Sequence, residues 1–272
     1  MVMGPIASVY QSRELLWNLT LRELRTKYRR SFLGWTWSML NPLATVAIYS
    51  FVFGVLFKST APVGDPSGLK GFAYFLLAAL LPWNFFALVT NLGMGAIASN
   101  SGLVRRVAFP REVLVFSNSL HACVQFAIEI GLLCVVLLIA GGPILPWIPV
   151  MLLVSVLLAI FASGFALALS TLSVYFRDLT YLWTIFIQVW FFLTPVVYGS
   201  ELLEARAPAW AERVLQFNPM RAFVSSYRDL LYDARCPALT RFLFMIVAAT
   251  ASLSIGWVIF HRMGRQIGRA HV

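Results

Sequence analysis

Charge is what this sequence has least of. Only 12% of its 272 residues are Asp, Glu, Lys or Arg, against about 25% in an ordinary soluble domain. Hydrophobic residues make up 60% and mean hydropathy is +0.80, more apolar surface than a soluble chain of this length can hide. Lipid is the solvent that suits it. Lysine is scarcer still, with 3 lysines against 18 arginines. No Gly-x-x-x-x-Gly-Lys-Ser/Thr loop occurs, so the chain has no phosphate-cradling loop of its own. Cys123, Cys134 and Cys236 make no paired framework, and the first two lie inside an apolar run, so no disulfide scaffold is expected. His121, His261 and His271 are scattered and suggest no zinc site. There is no Gly-x-Ser-x-Gly elbow. The net charge of +10 is distributed between apolar runs rather than on one polar face. Membrane topology and anionic lipid explain it better than nucleic acid does.

What is present is a series of long apolar runs. A membrane helix needs about 20 predominantly apolar residues. Such runs fall at Leu33–Phe57, Phe72–Ala98, Leu114–Ala140, Pro149–Val174, Tyr181–Tyr198 and Phe242–Phe260. The expected fold is an all-α polytopic membrane protein of six spans, forming one transmembrane domain over residues 1–272. Within it lie an amphipathic interfacial helix (8–31), a six-span body (33–260) and a basic tail (261–272). The polar, basic first 31 residues lack the early apolar stretch of a cleavable signal peptide. Six spans leave both termini on one side. That side carries thirteen Lys and Arg residues against eight on the other, so it is expected to be cytoplasmic.

Three segments do more than cross a bilayer. Trp17, Leu21, Leu24 and Tyr28 recur at helical spacing before the first span, with Arg22, Arg25 and Arg29 on another face. This pattern suits a helix lying in the headgroup plane. Arg25, Lys27, Tyr28, Arg29 and Arg30 are candidates for binding a lipid phosphate, or they simply anchor the topology. After the fifth run, Thr194-Pro195 breaks the helix early. Asn218-Pro219 then offers an N-cap and a first-turn proline to a helix over Arg221–Tyr232. Apolar segments too short to span suggest re-entrant helices beside a pathway, or an extracytoplasmic cap. In the third run Ser117, His121, Gln125 and Glu129 stand four residues apart, either a functional stripe or structural glue between helices. No partner acid or histidine in another span completes a proton relay.

The stretch Lys27–Leu43, KYRRSFLGWTWSMLNPL, resembles the start of the permease subunits of ABC exporters for bacterial surface polysaccharides. Leu103–Glu112 (LVRRVAFPRE) and Val174–Leu179 (VYFRDL) are similar to the family's cytoplasmic loops. Phe191–Tyr198 (FFLTPVVY) and Phe217–Leu230 (FNPMRAFVSSYRDL) look like the end of its fifth span and the re-entrant segment that follows. The order and the six-span layout match over nearly the whole chain.

The resemblance implies a homodimeric channel in the inner (cytoplasmic) membrane, driven by two copies of a separate ABC ATPase subunit. ATP and Mg2+ would bind there, leaving this chain without a cofactor, metal or enzymatic activity. The cargo would be a polyprenyl-diphosphate-linked polysaccharide: O-antigen in a Gram-negative host, teichoic acid, or a cell-wall galactan if the Arg-rich composition reflects a GC-rich actinobacterium. A small hydrophobic compound is the alternative. The loops that would meet the ATPase hold Arg105, Arg106, Phe109, Pro110, Arg111 and Glu112, then Tyr175, Phe176, Arg177 and Asp178. An aromatic and charged mix of this kind suits an interface hot spot. Tyr49, Phe53, Trp83, Phe86, Trp190 and Tyr198 are candidates to line the channel, because sugar rings stack on aromatic faces.

Overall fold

Apolar runs of this length become helices because lipid offers the backbone no hydrogen-bond partner, so every amide must be satisfied within the segment. The computed structural model describes residues 12–28, 36, 40, 43–44, 47–48, 50–56, 62–107, 109–199, 208 and 215–267. About half of the expected first span, with Tyr49, lies outside these residues, as do Arg29 and Arg30. The side chains of Lys27, Tyr28, Phe53 and Arg105 lie outside the description too. Among the described residues the regular structure is all helical.

The helices are α1 (Arg13–Tyr28), α2 (Phe72–Ser99), α3 (Ser101–Arg106), α4 (Glu112–Ile139), α5 (Ile148–Tyr175), α6 (Leu179–Leu193), α7 (Pro219–Arg228) and α8 (Leu239–Ile267). A π-helical turn covers Ser50–Leu56, a 3-10 turn (Leu145–Trp147) leads into α5, and a second π turn (Asp229–Asp233) extends α7. By length and composition α2, α4, α5 and α8 can each cross a membrane. At about 1.5 Å per residue, α6 reaches roughly 22 Å, short of a hydrocarbon core about 30 Å thick. It stops because Thr194 is extended (φ −102°, ψ 131°), the conformation favoured ahead of a proline.

Packing centres on α5, which lies against α8 along most of its length and against α2 on another side. Small residues set both crossings. A Cβ added at Gly164 would strike the backbone and Oγ of Ser252, and one at Gly256 would strike the Gly164 carbonyl. On the α2 side, Gly93 lies directly against Ala166. Close approach through small residues is how helices associate where lipid removes the hydrophobic drive. Ser252 Oγ adds a hydrogen bond to the Phe161 carbonyl at 2.8 Å across the crossing.

The helix directions sort the connections into two ends. One end gathers α1, the α2–α4 and α5–α6 connections, and the end of α8. The other gathers residues 62–71, the α4–α5 connection, and the segment from Thr194 through α7 to the start of α8. Contacts respect that division. Tyr232 donates through its hydroxyl to the Pro62 carbonyl at 2.7 Å, and the Ser67 amide donates to the Asp233 carbonyl at 3.0 Å.

Candidate functional site

The end holding α1 is the basic one. Its two short loops run from α3 to the start of α4 and from the end of α5 to α6. In the first, Val107 is extended (φ −131°, ψ 132°), which turns the chain toward Phe109 and Pro110. Both are half-buried, and Phe109 packs on the core. Arg106 is exposed, Arg111 is half-buried, and Glu112 is buried as the first residue of α4. Glu112 Oε1 lies 2.9 Å from His261 Nε2 on α8. In the second loop Tyr175, Phe176, Arg177 and Asp178 are all exposed. The Tyr175 hydroxyl donates to the Met263 carbonyl at 2.7 Å. The backbone carbonyl of Asp178 accepts from Tyr181 and Leu182 to open α6. An exposed, half-apolar loop carrying opposite charges can dock a soluble partner through an aromatic anchor and fixed polar contacts.

Helix α1 is bound to this end rather than only resting on it. Leu19, Thr20 and Leu24 are buried, and Thr20 Oγ1 donates to the Leu16 carbonyl at 2.8 Å. The buried face packs on α4, whereas Trp17 is 53% exposed. Of the stripe expected from Trp17, Leu21, Leu24 and Tyr28, Trp17 is exposed, Leu21 is half-buried and Leu24 is buried against α4 beside Leu19 and Thr20. Arg22 Nη2 donates to Asn100 Oδ1 at 2.6 Å, tying α1 to the junction of α2 and α3. Arg25 is exposed.

The aromatic residues expected at a channel wall are located otherwise within one chain. Phe86 is fully buried and Trp83 is 5% exposed. Phe86, Trp83, Phe161, Phe165 and Trp190 meet one another with ring centroids 5.2–6.2 Å apart. Edge-to-face contacts of this kind add stability beyond burial alone. Trp190 is half-buried and donates through Nε1 to Asn218 Oδ1 at 2.9 Å. The Tyr198 hydroxyl donates to the Phe192 carbonyl at 2.7 Å.

The polar stripe of α4 divides along its length. Ser117 and His121 are buried, and Ser117 Oγ donates to the Leu114 carbonyl at 2.9 Å. Further along, Gln125 donates to Glu129 at 2.8 Å, and Glu129 borders a cavity of about 90 Å3 with Leu43, Leu77 and Leu81. Among the described residues no group of three or more His, Cys, Asp or Glu side chains could hold a metal ion.

Three residues organise the opposite end, of which sequence reasoning singled out only Asn218. Asn218 caps α7, accepting from the Met220 amide at 3.0 Å, and donates to Thr194 Oγ1 at 3.0 Å. Arg228, 6% exposed, donates to the carbonyls of Phe75, Pro195, Val196 and Tyr198 and lies 3.8 Å over the Phe75 ring. Asp229 accepts from Arg235 at 2.6–2.8 Å and from Arg241. Asn218-Pro219 was legible as a cap; the roles of Arg228 and Asp229 depend on distant carbonyls and arginines that no local pattern announces.

Long apolar helices packed through small residues define a multi-pass membrane protein. More narrowly, the chain belongs to the ABC-2 type transporter family, whose model matches residues 14–232. It is 32% identical over 233 residues to the O-antigen export system permease protein RfbA of Myxococcus xanthus, covering 85% of each chain. It is 29% identical over 221 residues to a protein of the same name from Klebsiella pneumoniae, covering 81% of each. A shorter match, 34% identity over 119 residues, covers 43% of this chain and 44% of the polysialic acid transport protein KpsM of Escherichia coli.

Proposed function

We propose that this chain is the channel-forming permease of an ATP-driven exporter that carries a polyprenyl-diphosphate-linked polysaccharide across the cytoplasmic membrane. The observation that carries this reading is the pair of loops at one basic end, together with relatives named for O-antigen export that align along more than four-fifths of the chain. In this reading the basic end is cytoplasmic, with Arg105–Glu112 and Tyr175–Asp178 meeting a separate ATPase subunit that binds ATP and Mg2+. Residues 33–57 and the α6 region add two crossings to α2, α4, α5 and α8, giving six. Two copies enclose the path. The exposed apolar face of α6, with Tyr181, Ile185, Phe186 and Val189 each at least 50% exposed, is a surface that a second copy would cover. Arg25, Lys27, Arg29 and Arg30 lie on or just after α1, where a diphosphate at headgroup depth would meet them.

The test is to isolate the permease with its ATPase partner and to reverse charge at both loops. Arg111→Glu with Arg177→Glu is expected to abolish co-isolation or export, with the host's lipid-linked glycan accumulating inside. Normal export and partner binding by the double variant would overturn the reading. Identifying the accumulated glycan separates O-antigen, teichoic acid and galactan as cargo.

A further inference from the structure

Helices α4 and α8 stand on opposite walls of a groove of about 850 Å3. Phe116 and Leu120 of α4 face Leu253, Trp257 and Val258 of α8 across it, with Leu16 of α1 closing one side. Elsewhere the two helices are hardly in contact. The α8 wall is braced by the tight Gly164–Ser252–Gly256 crossing with α5, so α5 and α8 move as one unit. Interfaces that are packed switch as bodies, whereas an open groove leaves its walls free to shift.

At the basic mouth of that groove the two walls meet. Glu112 lies one helical turn before Phe116 on α4, and His261 lies one turn after Trp257 on α8. Glu112 Oε1 and His261 Nε2 are 2.9 Å apart. His261 Nδ1 is 3.1 Å from the Trp257 carbonyl, and the imidazole packs on the Trp257 ring with centroids 4.5 Å apart. The two ring nitrogens thus face two acceptors, a carboxylate on α4 and a carbonyl on α8 itself. Two residues further on, the Met263 carbonyl receives the Tyr175 hydroxyl at 2.7 Å. Glu112 closes the first loop and Tyr175 opens the second.

We propose that the end of α8, through His261 and the Met263 carbonyl, is a clasp that joins the two ATPase-facing loops across the groove, so that a push on either loop moves both. His261 is a positioning residue: it acts through Glu112 and touches neither cargo nor nucleotide. This rests on the reading of those loops as the ATPase-docking surface. A buried carboxylate whose partner is removed is costly, so the clasp holds firmly while it is closed, and the groove behind it supplies little other resistance.

The permease–ATPase complex, reconstituted in liposomes with metabolically labelled lipid-linked glycan from its own host, tests this. His261→Leu is expected to keep the complex intact and ATP hydrolysis near the wild-type rate. Glycan exported per ATP should fall about fivefold or more, the low end of ordinary coupling between sites. His261→Gln, which still donates to Glu112, should restore most of the ratio. Unchanged export per ATP in His261→Leu overturns the clasp. So does loss of the complex in His261→Leu that His261→Gln fails to repair, because that marks a merely structural residue. Arg111→Glu with Arg177→Glu, run in parallel, separates the two ideas: if it too is silent, the docking surface itself is misassigned, whereas an effect there alone sinks only the clasp.

Discussion

The two ends of this bundle are built on different principles. At the end that holds α7, Arg228 is buried and donates to carbonyls drawn from α2 and from residues 195–198, so one guanidinium satisfies backbone left open by the break after α6. Asn218 links α6, α7 and Trp190 in the same way, and Asp229 is gripped by two arginines. At the basic end the described links between elements share fewer partners: Arg22 to Asn100, His261 to Glu112, Tyr175 to Met263. A groove of about 850 Å3 runs in behind them. Groups that share many buried partners cannot shift without stranding several at once. The first end is a fixed frame, and the second is the one that can yield.

The sharpest way to break the contrast is Arg228→Ala. It strands carbonyls at Phe75, Pro195, Val196 and Tyr198, and each buried group left without a partner costs about 1–3 kcal/mol. Against total stabilities of about 5–15 kcal/mol, the variant is expected to accumulate little folded protein, read as a lost monodisperse peak in detergent. Arg228→Lys keeps the charge but not the fork of donors, and should recover only part of the yield. Full recovery with Ala would mean the frame is not held by this residue.

The middle of the bundle lies between those extremes. Gly256→Leu drives a side chain into the Gly164 backbone, and overpacking of a tight contact costs typically about 1–3 kcal/mol. Gly95, whose added Cβ meets nothing within 4 Å, is the control. Gly95→Ala should be neutral or raise the melting temperature, since glycine in a helix interior costs about 0.5–1 kcal/mol relative to alanine. Thermal melts of the two purified variants check both signs. Equal tolerance at both sites would mean that α5 and α8 are not joined by close approach, and the rigid wall of the groove would go with it.

Legibility in the sequence followed range. The apolar runs after residue 70, the early stop at Thr194-Pro195 and the cap at Asn218 are local, set by hydropathy and by what proline and asparagine do to the adjoining backbone, and the helices end close to where those residues stand. Direction was harder to read. Trp17 and Leu24 fit one stripe by spacing, yet α4 buries Leu19, Thr20 and Leu24 and leaves Trp17 out, because periodicity gives a face without saying which neighbour it meets. Trp83 and Phe86 were expected at a channel wall on chemistry alone, and they fill the interior between α2, α5 and α6. Arg228 reads in sequence as one of several arginines offset by acids. Its importance comes from Phe75, 153 residues away, and from a loop about 30 residues back, separations that leave no trace in a local pattern.

The smallest expected effect sharpens the comparison from the other side. Arg22 joins Asn100 at 2.6 Å and neighbours Glu23, but its side chain is 46% exposed. Pairs at such exposure contribute about 0–1 kcal/mol, because water competes for both partners. Arg22→Ala should therefore move the melting temperature by no more than a few degrees and leave yield unchanged. Its consequence should instead be local: α1, still packed through Leu19, Thr20 and Leu24, loses its tie to the junction of α2 and α3. Hydrogen exchange should accelerate around residues 99–106 and stay unaltered around α7. A large drop in stability, or faster exchange at α7, would mean that the basic end is locked into the same network as the frame, and the division between a fixed end and a yielding one would have to be abandoned.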